Sequence, residues 1–351
     1  MSAAASWGLI GHDEAVARLI QTIAADKVGH AYLITGPQGV GRTTLALAFA
    51  KALTCLESTN GIPCGACQSC RRVARDAEHR THPDITVADV QWQATVLGSR
   101  ASDATRQRLS IDAIRWLRQD IATRPILSSW KVQIVDDADR LSDAAPDAFL
   151  KTLEEPPASA IIMLVAESYD AVPETIRSRC QHIALGLVDR ATIQAALLER
   201  GIAEREARAI AAISRGRPGA ALDLARSPEV LEEWKQQVRE AFEHIRDPLG
   251  RLRIAGPIAA NHTRDRERTF RLLETCTGLW RDALLLKSGL TEAVSFADVA
   301  GELRAYVEPL SEAEILRALR ATRRATEDLE RNFQARIALL AMVEQWPQSS
   351  R

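Results

Sequence analysis

Gly36-Pro37-Gln38-Gly39-Val40-Gly41-Arg42-Thr43 has the spacing of a phosphate-binding loop, G-x-x-x-x-G-K-[ST], with arginine in the lysine position. In such a loop, backbone N–H groups turn inward around phosphate oxygens, and the helix that follows adds the positive end of its dipole. Gly36, Gly39 and Gly41 permit the turn. Thr43 would offer its hydroxyl to Mg²⁺, Thr44 joins it as a candidate contact, and the residue at 42 would reach the terminal phosphates of ATP or ADP. Arg42 keeps the charge, but it is planar and broader than lysine and bonds as a fork. That is compatible with nucleotide contact and poorly suited to turnover. The plain alternative is a Gly-rich strand-to-helix turn without a ligand.

A second acidic position accompanies the loop. Asp136 closes an apolar β-run, where a Mg²⁺-coordinating acid is expected, and Asp137 follows it. Asp137 stands where glutamate would orient the attacking water, and it is one methylene shorter. Taken alone, the pair also reads as two solvated acids at a strand end.

Cys55, Cys64, Cys67 and Cys70 are spaced C-x8-C-x2-C-x2-C. Three thiolates at two-residue gaps can converge on one ion and the fourth closes a tetrahedron, so the expectation is structural Zn²⁺ with no open coordination position. Disulfides are disfavoured where thiols stay reduced. A redox-active C-x-x-C is the other competitor. Cys180 and Cys276 read as packing residues.

The elements that must position these groups alternate. Strands are expected at His30–Thr35, Asp84–Val87, Lys131–Val135, Ala160–Val165 and Gln181–Leu185, with helices at Thr43–Thr54 and Ile111–Ile121. This alternation implies a parallel sheet with crossover helices. Gln93–Arg108 is polar and aperiodic and reads as a loop. Residues 189–226 read as short helices, and 229–346 as largely helical with turns at Asp247-Pro248, Gly256-Pro257, Gly289 and Glu308-Pro309. Trp234, Trp280 and Trp346 are expected in the core of that part.

Composition bounds the rest. The chain has 351 residues, 46% hydrophobic and 26% charged, with a net charge of −1, so two or three domains and no global basic field are expected. Met1–Trp7 lacks a basic patch before an apolar run, so no signal peptide is expected, and no stretch approaches the length of a membrane span. The expected compartment is the cytoplasm.

Together these residues resemble the clamp-loader family of AAA+ ATPases. The entry into the first strand (Gly11-His12-Asp13, then His30-Ala31-Tyr32-Leu33), the four cysteines with His82-Pro83-Asp84 after them, Lys131–Leu141, the run Leu150-Lys151-Thr152-Leu153-Glu154-Glu155-Pro156-Pro157, and Ser178-Arg179-Cys180 carry the resemblance over residues 8–226. It implies an α/β AAA+ P-loop parallel sheet with a zinc module, followed by a small helical lid and an all-α C-terminal collar. The corresponding segments are 1–186 (zinc module 55–70), 187–228 and 229–351. It implies that Arg179 projects to a neighbouring subunit's nucleotide, although an isolated Ser-Arg-Cys would read as a surface ion pair. It also implies partners: other loader subunits of the gamma/tau and delta kinds, a sliding clamp, and primed DNA reached through the complex.

Four departures point one way. Arg42 and Asp137 replace lysine and glutamate; Ala166-Glu167-Ser168 offers only Ser168 where relatives place a Thr/Asn-type sensor; and Gly219 stands where a lid arginine is expected. The implied role is a scaffold subunit that lends an arginine and hydrolyses weakly or not at all. A hydrolysing motor subunit of the same loader is the alternative, and a stand-alone remodelling ATPase is more distant. No segment has the basic, aromatic-interleaved pattern of an independent DNA-binding domain.

Overall fold

The computed structural model describes residues 2–73, 82–97, 108–142 and 145–347. They form two compact units, Met1–Ala196 with Arg215–Ala220, and Leu197–Ser214 with Ala221–Arg351.

The first unit is built on a five-stranded parallel sheet: β1 (Ala31–Thr35), β2 (Ile85–Ala88), β3 (Lys131–Val135), β4 (Ala160–Ala166) and β5 (Gln181–Ala184), in the spatial order β2-β3-β4-β1-β5. Two helices precede the sheet, α1 (Ala3–Ser6) and α2 (Asp13–Ala24); parallel neighbours require crossovers, and the segments between strands carry α3 (Arg42–Thr54), α4 (Gln68–Arg72), α5 (Val90–Leu97), α6 (Ile111–Ile121), α7 (Ala145–Glu154) and α8 (Glu174–Arg177). This is the P-loop α/β architecture expected from the sequence.

Successive strand residues face opposite sides, so continuous apolar strands need a core on each side. Tyr32, Ile34, Ile134, Met163 and Val165 pack with Leu45 and Phe49 on one side. Leu33, Val135, Ile162 and Leu164 pack with Ile114, Leu117, Phe149 and Leu153 on the other. Of the α6 stripe anticipated at Ile111–Ile121, Ile114, Leu117 and Ile121 are in this core and Ile111 is half-buried at its edge. Cys180 packs partly buried against the second cluster.

Two expectations needed correction. Gln93–Leu97 is not loop but the end of α5; residues 98–107 lie outside those described. The reason is capping and a buried amide. Asp89 Oδ1 accepts from Trp92 N at 2.7 Å, and Gln93 is fully buried, accepting from Ser110 N at 2.7 Å and donating to Arg108 O at 3.1 Å. Its polarity reports buried hydrogen bonding and not exposure. Gly256-Pro257 is not a turn either. It lies inside a π-helical segment, Ile254–Ile258, whose widened turn accommodates the proline.

The remaining helices are α9 (Arg190–Leu198), α10 (Glu204–Ile213), α11 (Pro218–Arg226), α12 (Pro228–Arg246), α13 (Pro248–Arg253), α14 (Ala259–Asn261), α15 (Arg266–Lys287), α16 (Ala300–Val307), α17 (Glu312–Glu330) and α18 (Ala335–Glu344). In the second unit Trp280 and Trp346 are buried, with Trp234 packed against the same core, and Cys276 is fully buried there. Arg251 is buried, and among the described residues it meets no carboxylate. It donates to Ile245 O (2.8 Å), Pro347 O (2.6 Å) and Tyr306 Oη (3.0 Å), tying the chain end to α12. Among the described residues no helix is long and apolar enough to cross a membrane.

Candidate nucleotide, metal and arginine sites

The phosphate loop leaves the carboxyl end of β1 and opens α3, the place and direction that anion binding requires. Gly36, Gly39 and Gly41 all have positive φ (153°, 77° and 110°). A Cβ on Gly41 would meet no atom within 4 Å, so the bend is open toward a ligand. His12, at the start of α2, supports the loop from behind, with Nε2 at 3.0 Å from Val40 O.

Thr43 Oγ1 donates to Asp136 Oδ2 at 2.9 Å, so the two residues expected to hold Mg²⁺ meet where the first turn of α3 faces the end of β3. Burial pushes the Asp136 carboxyl above the usual carboxylate range; the Thr43 hydrogen bond works against the shift and the Asp137 charge works with it. A cation would remove that strain. Asp137 adopts a left-handed backbone (φ 59°) and lies 3.8 Å from Arg140, so it is turned into a local ion pair. Thr44 is half-buried in the first turn of α3.

Arg42 is 11% exposed; its Nη1 is buried without a hydrogen-bond partner among the described residues, and its Nη2 lies 4.0 Å from Glu167 Oε1. An orphaned buried guanidinium N–H at a Gly-rich loop fits a phosphate oxygen. A nucleotide's phosphates would sit against the loop N–H groups and Arg42, with Thr43 and Asp136 holding the ion. Sequence reasoning chose Ser168 as the polar group after β4. Ser168 is exposed and accepts from Asp170 N at 3.3 Å, and Glu167 is the residue that faces Arg42. A carboxylate there competes with phosphate for the same cation. The position three residues after Gly216 shows a second change: Gly219 N donates to Gly39 O at 2.8 Å. A Cβ at Gly219 would come within 3.0 Å of that oxygen, so glycine permits the close approach.

Arg179 follows α8. Its Nη2 donates to Glu154 Oε1 at 2.6 Å, and its Nη1 to Thr175 O at 2.8 Å and Ser178 Oγ at 3.2 Å. The side chain is 36% exposed. Arg177 is placed differently: it pairs with Asp170 at 2.6 Å, lies over the Tyr169 ring, and is 19% exposed. Of the two, Arg179 is the one presented outward.

Cys55, Cys64, Cys67 and Cys70 bring their Sγ atoms within 4.8 Å of one another, with Cys55 and Cys67 at 3.9 Å. A tetrahedron of Zn–S bonds of about 2.3 Å needs sulfurs about 3.8 Å apart, so the donor set fits zinc. Backbone N–H groups of Cys64, Cys67 and Cys70 point at sulfurs at 3.3–3.4 Å. Burial raises the Cys67 thiol, but hydrogen bonds from the N–H groups of Cys70 and Leu56 and from the Cys70 and Cys64 side chains outweigh it and bring it down to about 6. Cys55 and Cys70 are pushed up, burial again leading. Four thiolates together therefore need a cation. Ser69 bonds Thr54 Oγ1 (3.2 Å) and His82 Nε2 (2.9 Å), joining the module to α3 and to the start of β2.

His82-Pro83-Asp84 has a structural part that the sequence alone did not disclose. Asp84 is fully buried and accepts from the N–H groups of Ile126 (2.6 Å), Leu127 (2.7 Å) and Ser128 (2.8 Å). Burial works against its charge, but these donors outweigh it and hold the carboxyl below its ordinary range.

The family described as DNA polymerase III, delta subunit, matches residues 11–188, just over half of the chain. Similar curated proteins include the tau/gamma subunit of DNA polymerase III from Haemophilus influenzae, 29% identical over 53% of this chain and 24% of its own length. The gamma/tau subunit from Mycobacterium bovis is 31% identical over 54% of this chain and 30% of its own. The tau subunit from Bacillus subtilis is 32% identical over 49% and 27%. The chain thus spans about a quarter to a third of these relatives' length. A solved DNA polymerase III, gamma subunit-related protein from Thermotoga maritima aligns over 93% of this chain and 97% of its own, at 15% identity and a TM-score of 0.46.

Proposed function

The chain belongs to the DNA polymerase III delta subunit family, and we propose that within it this protein is the delta-prime-type subunit of a clamp loader. In this reading it helps place the sliding clamp on primed DNA. It presents Arg179 to the nucleotide of an adjacent gamma/tau-type ATPase and hydrolyses little or nothing itself. Residues 1–186 are the AAA+ module with structural Zn²⁺ in the Cys55–Cys70 segment, 187–228 the lid, and 229–351 a collar that holds it beside its gamma/tau and delta partners. The reading places it in the cytoplasm.

The observation that carries this reading is the contrast between two arginines. Arg42, in the chain's own loop, is 11% exposed with Glu167 beside it, whereas Arg179 is 36% exposed on the surface. A guanidinium offered outward can neutralise charge developing on a phosphate in another subunit.

A second reading has its own support. The Thr43–Asp136 pair is intact and the curated relatives are gamma/tau subunits, which favours a hydrolysing motor subunit of the same loader. ATP turnover by the isolated chain separates the two. No steady turnover, with ADP or ATP still detected on the protein by native mass spectrometry, is the expected result. Steady turnover abolished by Thr43→Ala or Asp136→Ala would establish the motor and overturn the scaffold.

A further inference from the structure

We propose that Glu154 is a positioning residue for Arg179, a latch that holds the guanidinium until a neighbour's phosphate displaces it. The proposal rests on the reading of Arg179 given above and names what controls it.

Both terminal nitrogens of Arg179 are already engaged within the chain. Nη2 is on Glu154 Oε1 at 2.6 Å, and Nη1 is on Thr175 O and Ser178 Oγ. The two nitrogens do different work. Thr175 and Ser178 lie on or beside α8, next to Arg179 in the chain, so their bonds fix the root of the fork. Glu154 lies 25 residues away on another element and is the only one of the three partners with a formal charge.

Glu154 is the last residue of α7, and after Glu155 the pair Pro156-Pro157 follows. A carboxylate at a helix C-terminus faces the negative end of the helix dipole, so the helix gains nothing from it. The prolines prevent another helical turn, which keeps the carboxylate where Arg179 meets it. The signature Leu150–Pro157 therefore does two jobs in one helix. Leu153 fills the core, beside Phe149 just before the signature, and the terminal Glu154 faces outward to the arginine.

Carboxylate and phosphate oxygens are equivalent acceptors for a guanidinium, and one N–H cannot serve both fully. The Glu154 side chain is 50% exposed, so it returns to water when released. An exposed pair of this kind is weak, about two- to fivefold in an equilibrium. It is strong enough to keep the fork in one orientation and weak enough to yield to a multiply charged phosphate. Glu154 thus tunes how readily the finger is handed over, without touching the reacting atoms.

The test is steady-state ATP hydrolysis by a gamma/tau-type ATPase subunit assembled with the full chain. Four forms of the chain are compared: unaltered, Glu154→Gln, Arg179→Ala, and both together. Glu154→Gln is expected to lower the KM for ATP about two- to fivefold with kcat changed less than twofold, and the effect should vanish in the Arg179→Ala background. Glu154→Asp, which keeps the charge, should restore the original KM at least in part. An unchanged KM, or a fall in kcat with KM constant, would overturn the latch while leaving the finger standing, provided Arg179→Ala still abolishes stimulation. If Arg179→Ala has no effect, the finger itself fails and the latch with it. A melting temperature of Glu154→Gln equal to that of the unaltered chain confirms that folding is not the cause.

Discussion

The chain's own phosphate loop and its Arg179 edge stand at opposite ends of one design problem. Both place a guanidinium beside a carboxylate: Arg42 by Glu167 at 4.0 Å, and Arg179 by Glu154 at 2.6 Å. At the loop the arginine is nearly covered and one nitrogen is orphaned. At the edge it is half-buried, its side chain 36% exposed, and its terminal nitrogens are bonded. The first setting suits an internal anion held without turnover. The second suits an anion arriving from outside. Charge is common to both, so it cannot decide the role; exposure and partner geometry do.

The same substitution at the two positions should have opposite consequences. Arg179→Lys keeps the charge and loses the fork, and it should lower the partner ATPase rate by roughly 10²-fold, part of the 10³–10⁵ that a trans arginine can supply. A rate within twofold of the unaltered complex would erase the distinction drawn here. Arg42→Lys should instead tighten nucleotide binding by the isolated chain, by about tenfold, since lysine reaches the terminal phosphates as a point charge. Equilibrium dialysis with ATP and with ADP measures this. Weaker binding would mean that Arg42 itself is the better phosphate ligand.

The cysteine module offers a third setting, in which the charged groups converge on each other. Elemental analysis should find about one zinc per chain. Chelation should expose all four thiols to alkylation and lower the melting temperature by several degrees, leaving the Arg42 and Arg179 contrasts in sign unchanged. Alkylation of all four thiols before chelation would remove the site.

The smallest expected effect is at Asp136. Its folded carboxyl titrates above its unfolded value, so the stability it contributes is fully present below the unfolded pKa and lost as pH rises through the folded one. At neutral pH the charge is a burden in the ligand-free chain. Asp136→Asn should raise the melting temperature of the ligand-free chain at neutral pH. The gain should shrink as pH falls toward the carboxylate range. Added Mg²⁺ and nucleotide should stabilise the unaltered chain more than the variant.

Much of this was legible because strand ends and stops are local signals. Gly36–Thr43 follows a strand and opens a helix, Asp136 closes β3, and Pro156-Pro157 ends α7, each within a residue or two of its expected place. The cysteine spacing also sufficed, since a loop of sixteen residues can only bring its sulfurs together locally. What stayed hidden depends on partners distant in sequence. Glu167 comes beside Arg42 of the Gly-rich loop only because β4 lies beside β1. Glu154 reads as one more acid in an acidic run until Arg179, 25 residues on, is placed against it. Gln93 read as loop because its segment is polar and aperiodic, whereas its amide is satisfied internally by Arg108 and Ser110.

The most direct measurement is the ATP hydrolysis rate of a gamma/tau-type subunit titrated with this chain, unaltered or carrying Arg179→Ala. The account expects the unaltered chain, silent alone, to stimulate the partner to a saturating plateau. The Arg179→Ala chain should bind equally well and give no stimulation. Equal plateaus from the two chains, or turnover by the unaltered chain with no partner present, would contradict it.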